Sequence, residues 1–124
     1  MQILFVDDNI DICRLYKFYF ERNNITAQLA HNGLEAVQAV KAQSQPFDAI
    51  VLDVEMPVMN GWSVFKAIRE LSQGKTVPIV IFTGYATDES KACAKQLGAA
   101  GIFFKPMELD DMLSWLRKIV EQQP

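Results

Sequence analysis

The chain has 124 residues, half of them hydrophobic and 22% charged, which suits one domain that buries a core without disulfides or a structural metal. A net charge of -3 with no clustered basic stretch argues against a domain that grips nucleic acid by its backbone. Cys13 and Cys93 match no metal spacing and read as reduced thiols of a cytoplasmic protein, the first residues lack the layout of a signal peptide, and no apolar run is long enough to span a membrane.

In chain order, Gln2 to Val6 reads as a strand that ends at Asp7-Asp8-Asn9. From Ile10 the period changes: Ile12, Leu15, Tyr16, Tyr19 and Phe20 recur at helical spacing, with Ile10 and Phe18 off the stripe. Thr26 to Ala30 is a second strand, and His31-Asn32-Gly33 turns into a helix with Leu34, Val37, Ala39 and Val40 as its apolar positions. Phe47 to Leu52 is the third strand, apolar throughout from Ala49 and stopping at Asp53; Pro57, Asn60 and Gly61 mark the following loop. The third helix presents Val64, Phe65, Ile68 and Leu71, with Trp62 expected to pack under the loop. Val77 to Phe82 is the fourth strand, with Thr83-Gly84 at its exit and Thr87 as the N-cap of a thin fourth helix that ends at Gly98. Ile102 to Phe104 is the fifth strand, followed by Lys105-Pro106 and a last helix that buries Leu109, Met112, Leu113, Leu116 and Val120, leaving Trp115 and Ile119 off the stripe.

Five strands alternating with five helices predict an α/β fold, a single doubly wound parallel sheet covered on both faces, because each parallel crossover needs a helix to return the chain. Crossovers share one hand, so the strand exits share one edge. Asp7, Asp8, Asp53, Thr83 and Lys105 therefore meet on one rim. Asp53 is either a cap for the next element or a reactive or metal-binding carboxylate, and the company of the other four favours the second. Clustered carboxylates repel by roughly 4 kcal/mol at 4 Å with an effective dielectric of 20. Lys105 offsets part of this, and a hard divalent cation such as Mg²⁺, held by Asp8 and Asp53, offsets the rest. Thr83 and Lys105 then suit the oxygens of a phosphoryl group, and Asp53 is the candidate nucleophile.

Asp7-Asp8, Asp53-Val-Glu-Met-Pro-Val-Met-Asn-Gly61, Thr83-Gly84 and Gly98-Ala-Ala-Gly-Ile-Phe-Phe-Lys105-Pro106, in that order, together resemble the receiver domain of two-component response regulators. The resemblance covers nearly the whole chain and includes Ala30-His-Asn-Gly-Leu-Glu-Ala36. It implies a five-stranded sheet in the order 2-1-3-4-5, a receiver domain over 1–121, and a tail or linker start at 122–124. It further implies that Asp53 is the phosphoacceptor and that Mg²⁺, with Mn²⁺ as a substitute, is bound by Asp8, Asp53, the backbone carbonyl of Glu55 and, through water, Asp7. Thr83 would be the switch hydroxyl, Lys105 would bind the phosphoryl group, and the Lys105–Pro106 bond would be cis. The donor would be a sensor histidine kinase or a phosphotransfer protein, and the output partner stays open. The fourth helix, fifth strand and fifth helix would form a face for a dimer or a target. The first helix borders the kinase docking surface in this family, so Phe18 is a candidate anchor there.

The family usually has an aromatic residue where this chain has Ile102, a β-branched side chain that cannot make the same ring swing. Phe103 points to the opposite face and Phe104 to the same face two residues on. Glu55 and Tyr85 would border the phosphoryl group, and the Glu55 carboxylate is also a candidate to reach the metal before phosphorylation. The expected function is a phosphorylation-dependent switch that assists its own phosphorylation and dephosphorylation without turning over a separate substrate. Three alternatives fit less well. A haloacid-dehalogenase-like phosphohydrolase wants a second aspartate where Glu55 stands, and a cap insertion. An FMN-binding flavodoxin wants Ser, Thr and Gly donors where Asp7-Asp8 stands. A receiver-like module that binds partners without phosphorylation would not need every charged group of the site.

Overall fold

The computed structural model describes residues 1–55, 60–84 and 87–122. Among them five strands and five α-helices alternate: β1 (Gln2–Val6), α1 (Ile10–Arg22), β2 (Thr26–Ala30), α2 (Gly33–Lys41), β3 (Ala49–Asp53), α3 (Gly61–Arg69), β4 (Ile79–Thr83), α4 (Asp88–Leu97), β5 (Gly101–Phe104) and α5 (Leu109–Glu121). All pairings are parallel, and the sheet order is β2-β1-β3-β4-β5, as the resemblance implies. No helix among the described residues is long and apolar enough to cross a membrane.

Alternation along the strands sorts the core into two layers. Leu4, Ile50, Leu52, Ile79 and Ile81 face one side and pack with Val40, Val64, Phe65, Ile68 and Ala94 of α2, α3 and α4. Ile3, Phe5, Val51, Val80, Phe82 and Phe103 face the other and pack with Cys13, Tyr16 and Phe20 of α1 and Met112, Leu116 and Ile119 of α5. β3 and β4 are buried along their whole length, which accounts for their unbroken apolar runs.

Four helices start on a side chain that accepts a backbone N–H of the first turn: Asn9 from Ile12, Asn32 from Glu35, Asn60 from Ser63, and Thr87, as expected, from Ser90. α4 closes on Gly98 in the left-handed region at φ 80°.

Several expectations about faces change. Leu15 and Leu34 are exposed at 54% and 65%, while Cys13 and Ala36 take the buried positions. Ile119 is buried, although helical periodicity puts it off the stripe; it belongs to the α1/α5 layer, and its Cδ1 lies near Gly101. Ile10, Phe18 and Trp115 are exposed as the spacing suggests. The third and fourth strands begin two residues later than expected and each runs on to include its polar exit residue, Asp53 and Thr83. The fifth begins one residue earlier, at Gly101.

Gly61 opens α3 directly against the end of β3. A Cβ there would lie 2.3 Å from the Cα of Val54 and 2.6 Å from the carbonyl oxygen of Asp53, so backbone must move to admit it. Gly61→Ala is expected to lower stability by about 2–3 kcal/mol, at the upper end of overpacking costs, seen as a lower urea midpoint at unchanged slope. Gly101→Ala, whose Cβ would meet Ile119 at an ordinary 3.5 Å, is the control expected to stay near wild type.

Candidate functional site

The strand alternation that sorts the core also assigns the polar residues at the exits. Asp7 follows Ile3 and Phe5, Asp53 follows Ala49 and Val51, and Lys105 follows Phe103, all on the α1/α5 side. Lys105 Nζ accordingly lies 2.8 Å from Asp7 Oδ2 and 3.4 Å from Asp53 Oδ2. Asp7 and Asp53 are buried and Asp8 is exposed, and the three offer carboxylate oxygens within 4.8 Å of one another. The backbone bonds of neighbouring elements hold them in place. The Asp7 N–H donates to Ala30 O at 3.1 Å, and the Lys105 N–H donates to Thr83 O at 2.8 Å. The Asn9 N–H donates to Asp7 Oδ1 at 2.9 Å, and the Glu55 N–H donates to Asp53 Oδ1 at 2.8 Å.

Burial pushes the Asp53 carboxyl above its ordinary range; the Glu55 N–H and Lys105 pull it back only in part, and the charge of Asp7 adds to the rise. Burial works in the opposite direction on Lys105, yet the hydrogen bond and charge of Asp7, with the charge of Asp53, outweigh it and hold the ammonium above its usual value. Lys105 is therefore a permanent cation at neutral pH, shared between two buried acids.

The sequence reading missed the shell beneath this cluster. Lys105 Nζ sits 5.1 Å from the centroid of Phe82, an attractive cation–ring contact. Phe82 meets Tyr16 edge-on at 5.7 Å, and Tyr16 stacks on Phe5 at 5.0 Å. The Tyr16 hydroxyl donates to Met107 O at 3.2 Å, tying α1 to the segment that follows Lys105. The Cys13 thiol donates to Asp7 O at 3.2 Å, and burial, with the charge of Asp7 adding, pushes its pKa up to about 12, so it is inert as a nucleophile. The sequence signal for this shell is its position, since Phe82 immediately precedes Thr83 and Cys13 lies one helical turn past the N-cap Asn9.

Thr83 has the opposite strand parity, and its fully buried side chain falls on the α2–α4 side. Its hydroxyl donates to Glu55 Oε1, which also accepts the Gly84 N–H at 2.7 Å. Ile102 is half-buried against the α2–α4 layer and Phe103 lies in the other. Phe104 is half-buried, with Lys91 Nζ of α4 5.7 Å from its ring centroid. The Lys105–Pro106 peptide is cis. Trp62 packs on the α2–α4 layer. Tyr85 lies outside the described residues.

The donor set fits a hard divalent cation: carboxylate oxygens from Asp7, Asp8 and Asp53, no sulfur or imidazole among them, one acid open to solvent and two recessed. One lysine against three acids leaves a net negative charge for the cation to offset.

The family model for the response regulator receiver domain matches residues 3–117. Among curated proteins, the chain is 28% identical over 122 residues to the transcriptional regulatory protein YclJ of Bacillus subtilis, covering 98% of this chain and 52% of that one. It is 28% identical over 123 residues to the response regulator ArlR of Staphylococcus aureus, covering 99% and 54%. The chain thus spans about half the length of the curated relatives it matches. Among solved structures, the chemotaxis protein CheY4 of Vibrio cholerae superposes with a TM-score of 0.89 at 33% identity, over 95% of this chain and 97% of that one. The receiver domain of the sensor histidine kinase PA1611 of Pseudomonas aeruginosa, which has a magnesium ion coordinated in its active site cleft, gives 0.87 at 26% identity, over 98% of each. With the model matching nearly its whole length and the sheet order in agreement, the chain belongs to the response regulator receiver domain family.

Proposed function

We infer that this domain is a phosphorylation-dependent signalling switch in which Asp53 accepts a phosphoryl group from a phosphohistidine of a sensor histidine kinase or phosphotransfer protein. The observation that carries this reading is Asp53 itself, a buried carboxylate at a strand exit with Lys105 Nζ 3.4 Å from its Oδ2 and Asp7 and Asp8 beside it. In the transfer, an Asp53 carboxylate oxygen attacks phosphorus, the P–N bond breaks, and its electron pair goes to the imidazole nitrogen, which takes up a proton. Lys105 binds a phosphoryl oxygen and Thr83 donates its hydroxyl to another; water later attacks the same phosphorus, the P–O bond to Asp53 breaks with its electron pair returning to the carboxylate, and inorganic phosphate leaves. Asp8, Asp53, the Glu55 backbone carbonyl and, through water, Asp7 would hold Mg²⁺ or Mn²⁺, by analogy with the magnesium of the PA1611 domain. The bound ion supplies the positive charge that admits an anionic donor to an acidic rim. The domain works in the cytoplasm and turns over no separate substrate. Its output passes through the surface of α4, β5 and α5, to a second copy or to an effector, by analogy with the transcriptional regulatory protein it resembles.

The test is incubation with acetyl phosphate and Mg²⁺, read by intact mass. The wild-type chain is expected to gain one phosphoryl group, with the gain abolished by chelation. No gain with acetyl phosphate or with a phosphohistidine donor overturns the reading.

A further inference from the structure

The bond between Glu55 and Thr83 is the part of the site that the phosphoryl-acceptor chemistry does not use. Its geometry follows from local constraints. The Glu55 N–H donates to Asp53 Oδ1 at 2.8 Å, which fixes the turn after β3 and ties Glu55 to the acceptor. The β3–β4 register sets Phe82 opposite Asp53, so Thr83 begins the next step of the adjacent strand. The Glu55 side chain crosses between these exits, and its Oε1 accepts both the Thr83 hydroxyl and the Gly84 N–H, the latter at 2.7 Å.

We propose that the Glu55 carboxylate is an internal anion, a latch that occupies the Thr83 hydroxyl and the Gly84 N–H in the unphosphorylated domain and has to be displaced when a phosphoryl group on Asp53 claims Thr83. This rests on the phosphoacceptor reading of Asp53. A hydroxyl has one proton to donate, so Thr83 serves Glu55 or a phosphoryl oxygen but not both. Hydrogen bonds to a carboxylate are roughly twice as strong as neutral ones, so the competition is not negligible. Glu55 is exposed while Thr83 is fully buried, so release returns the carboxylate to water while the hydroxyl keeps a charged acceptor. The latch therefore lowers the affinity of the site for the phosphoryl group by the fraction of molecules in which Thr83 is engaged, and it couples phosphorylation of β3 to movement of the β4 exit without any aromatic ring at position 102.

The experiment compares wild type, Glu55→Ala, Glu55→Gln, Thr83→Ala and the Glu55→Ala/Thr83→Ala double variant. Glu55 is exposed and any main-chain role of it is kept in these variants. Two quantities are read: hydrogen exchange of the Gly84 amide without metal or phosphoryl mimic, and affinity for beryllofluoride with Mg²⁺. Glu55→Ala is expected to speed Gly84 exchange and tighten beryllofluoride binding, each about tenfold, with Glu55→Gln between it and wild type. In the Thr83→Ala background, removing Glu55 is expected to change beryllofluoride affinity little. Unchanged or weaker beryllofluoride binding by Glu55→Ala, or unchanged Gly84 exchange, overturns the latch while uptake itself stands. Absence of beryllofluoride uptake in every variant overturns the phosphoacceptor reading and the latch with it.

Discussion

Asp53→Asn protein is expected to keep its unmodified mass under conditions in which wild type gains a phosphoryl group, and at the same time to be the more stable of the two without divalent cations. The first result follows from the proposed role of Asp53, whose attacking oxygen the substitution removes. The second follows from the electrostatics of the site. Because burial raises the Asp53 pKa in the fold, the folded state binds more protons than the unfolded chain between the ordinary value of 3.8 and the raised one. Stability therefore falls as pH rises through that window, and the cost is complete above it. The neutral amide removes that cost. The expected gain at pH 7 is on the order of 1 kcal/mol, or roughly 3–6 °C in Tm for a domain of this size, and it vanishes below pH 3.8. Mg²⁺ should raise the Tm of wild type and have little effect on Asp53→Asn. A variant that is both inert to phosphodonor and no more stable than wild type would show that Asp53 carries little uncompensated charge.

Lys105→Met is expected to be the most damaging single change at the site. The methionine keeps apolar contact with the ring of Phe82, so the substitution isolates the charge. It leaves the buried carboxylates of Asp7 and Asp53 without the cation at 2.8 and 3.4 Å. Breaking a fully buried pair costs about 3–5 kcal/mol, and the solvent exposure of the lysine reduces this to about 2–3 kcal/mol in the metal-free domain at pH 7. Chemical denaturation measures it, and adding Asp53→Asn to Lys105→Met should recover part of the loss, because the two sites share one network. The pH dependence has a definite sign. The folded-state pKa of Lys105 is raised, so its contribution is fully present below the ordinary value of 10.5 and is lost as pH rises through the folded value. Wild type should show this alkaline loss and Lys105→Met should not. Phosphoryl accumulation from acetyl phosphate should fall about tenfold or more, since the cation proposed to hold the transferring group is gone.

Apolar period and turn residues made the order and type of the elements legible, because a doubly covered parallel sheet needs long apolar runs and amphipathic crossovers. The gathering of Asp7, Asp8, Asp53 and Lys105 was also legible, since it depends only on strand exits sharing one edge. What periodicity misjudged were residues whose face is decided by neighbours in space. Leu15 and Leu34 have helical spacing but no partner layer over them, while Ile119 is covered at the edge of the sheet beside Gly101. The Glu55–Thr83 bond was beyond sequence reasoning for a similar reason. It requires the β3–β4 register and the opposite parity of Thr83 and Lys105, neither of which spacing along the chain reveals.

The helices that flank the rim hold the sheet with very different force. α1 and α5 press Tyr16, Phe20, Met112, Leu116 and Ile119 into the aromatic side of the core, whereas α4 buries Ala94 alone, with Leu97 half-covered. Lifting a helix off the sheet costs in proportion to the apolar area it uncovers, so the domain is mechanically stiff behind Lys105 and compliant beyond Thr83. A small push at the rim meets its least resistance at the flank of α4.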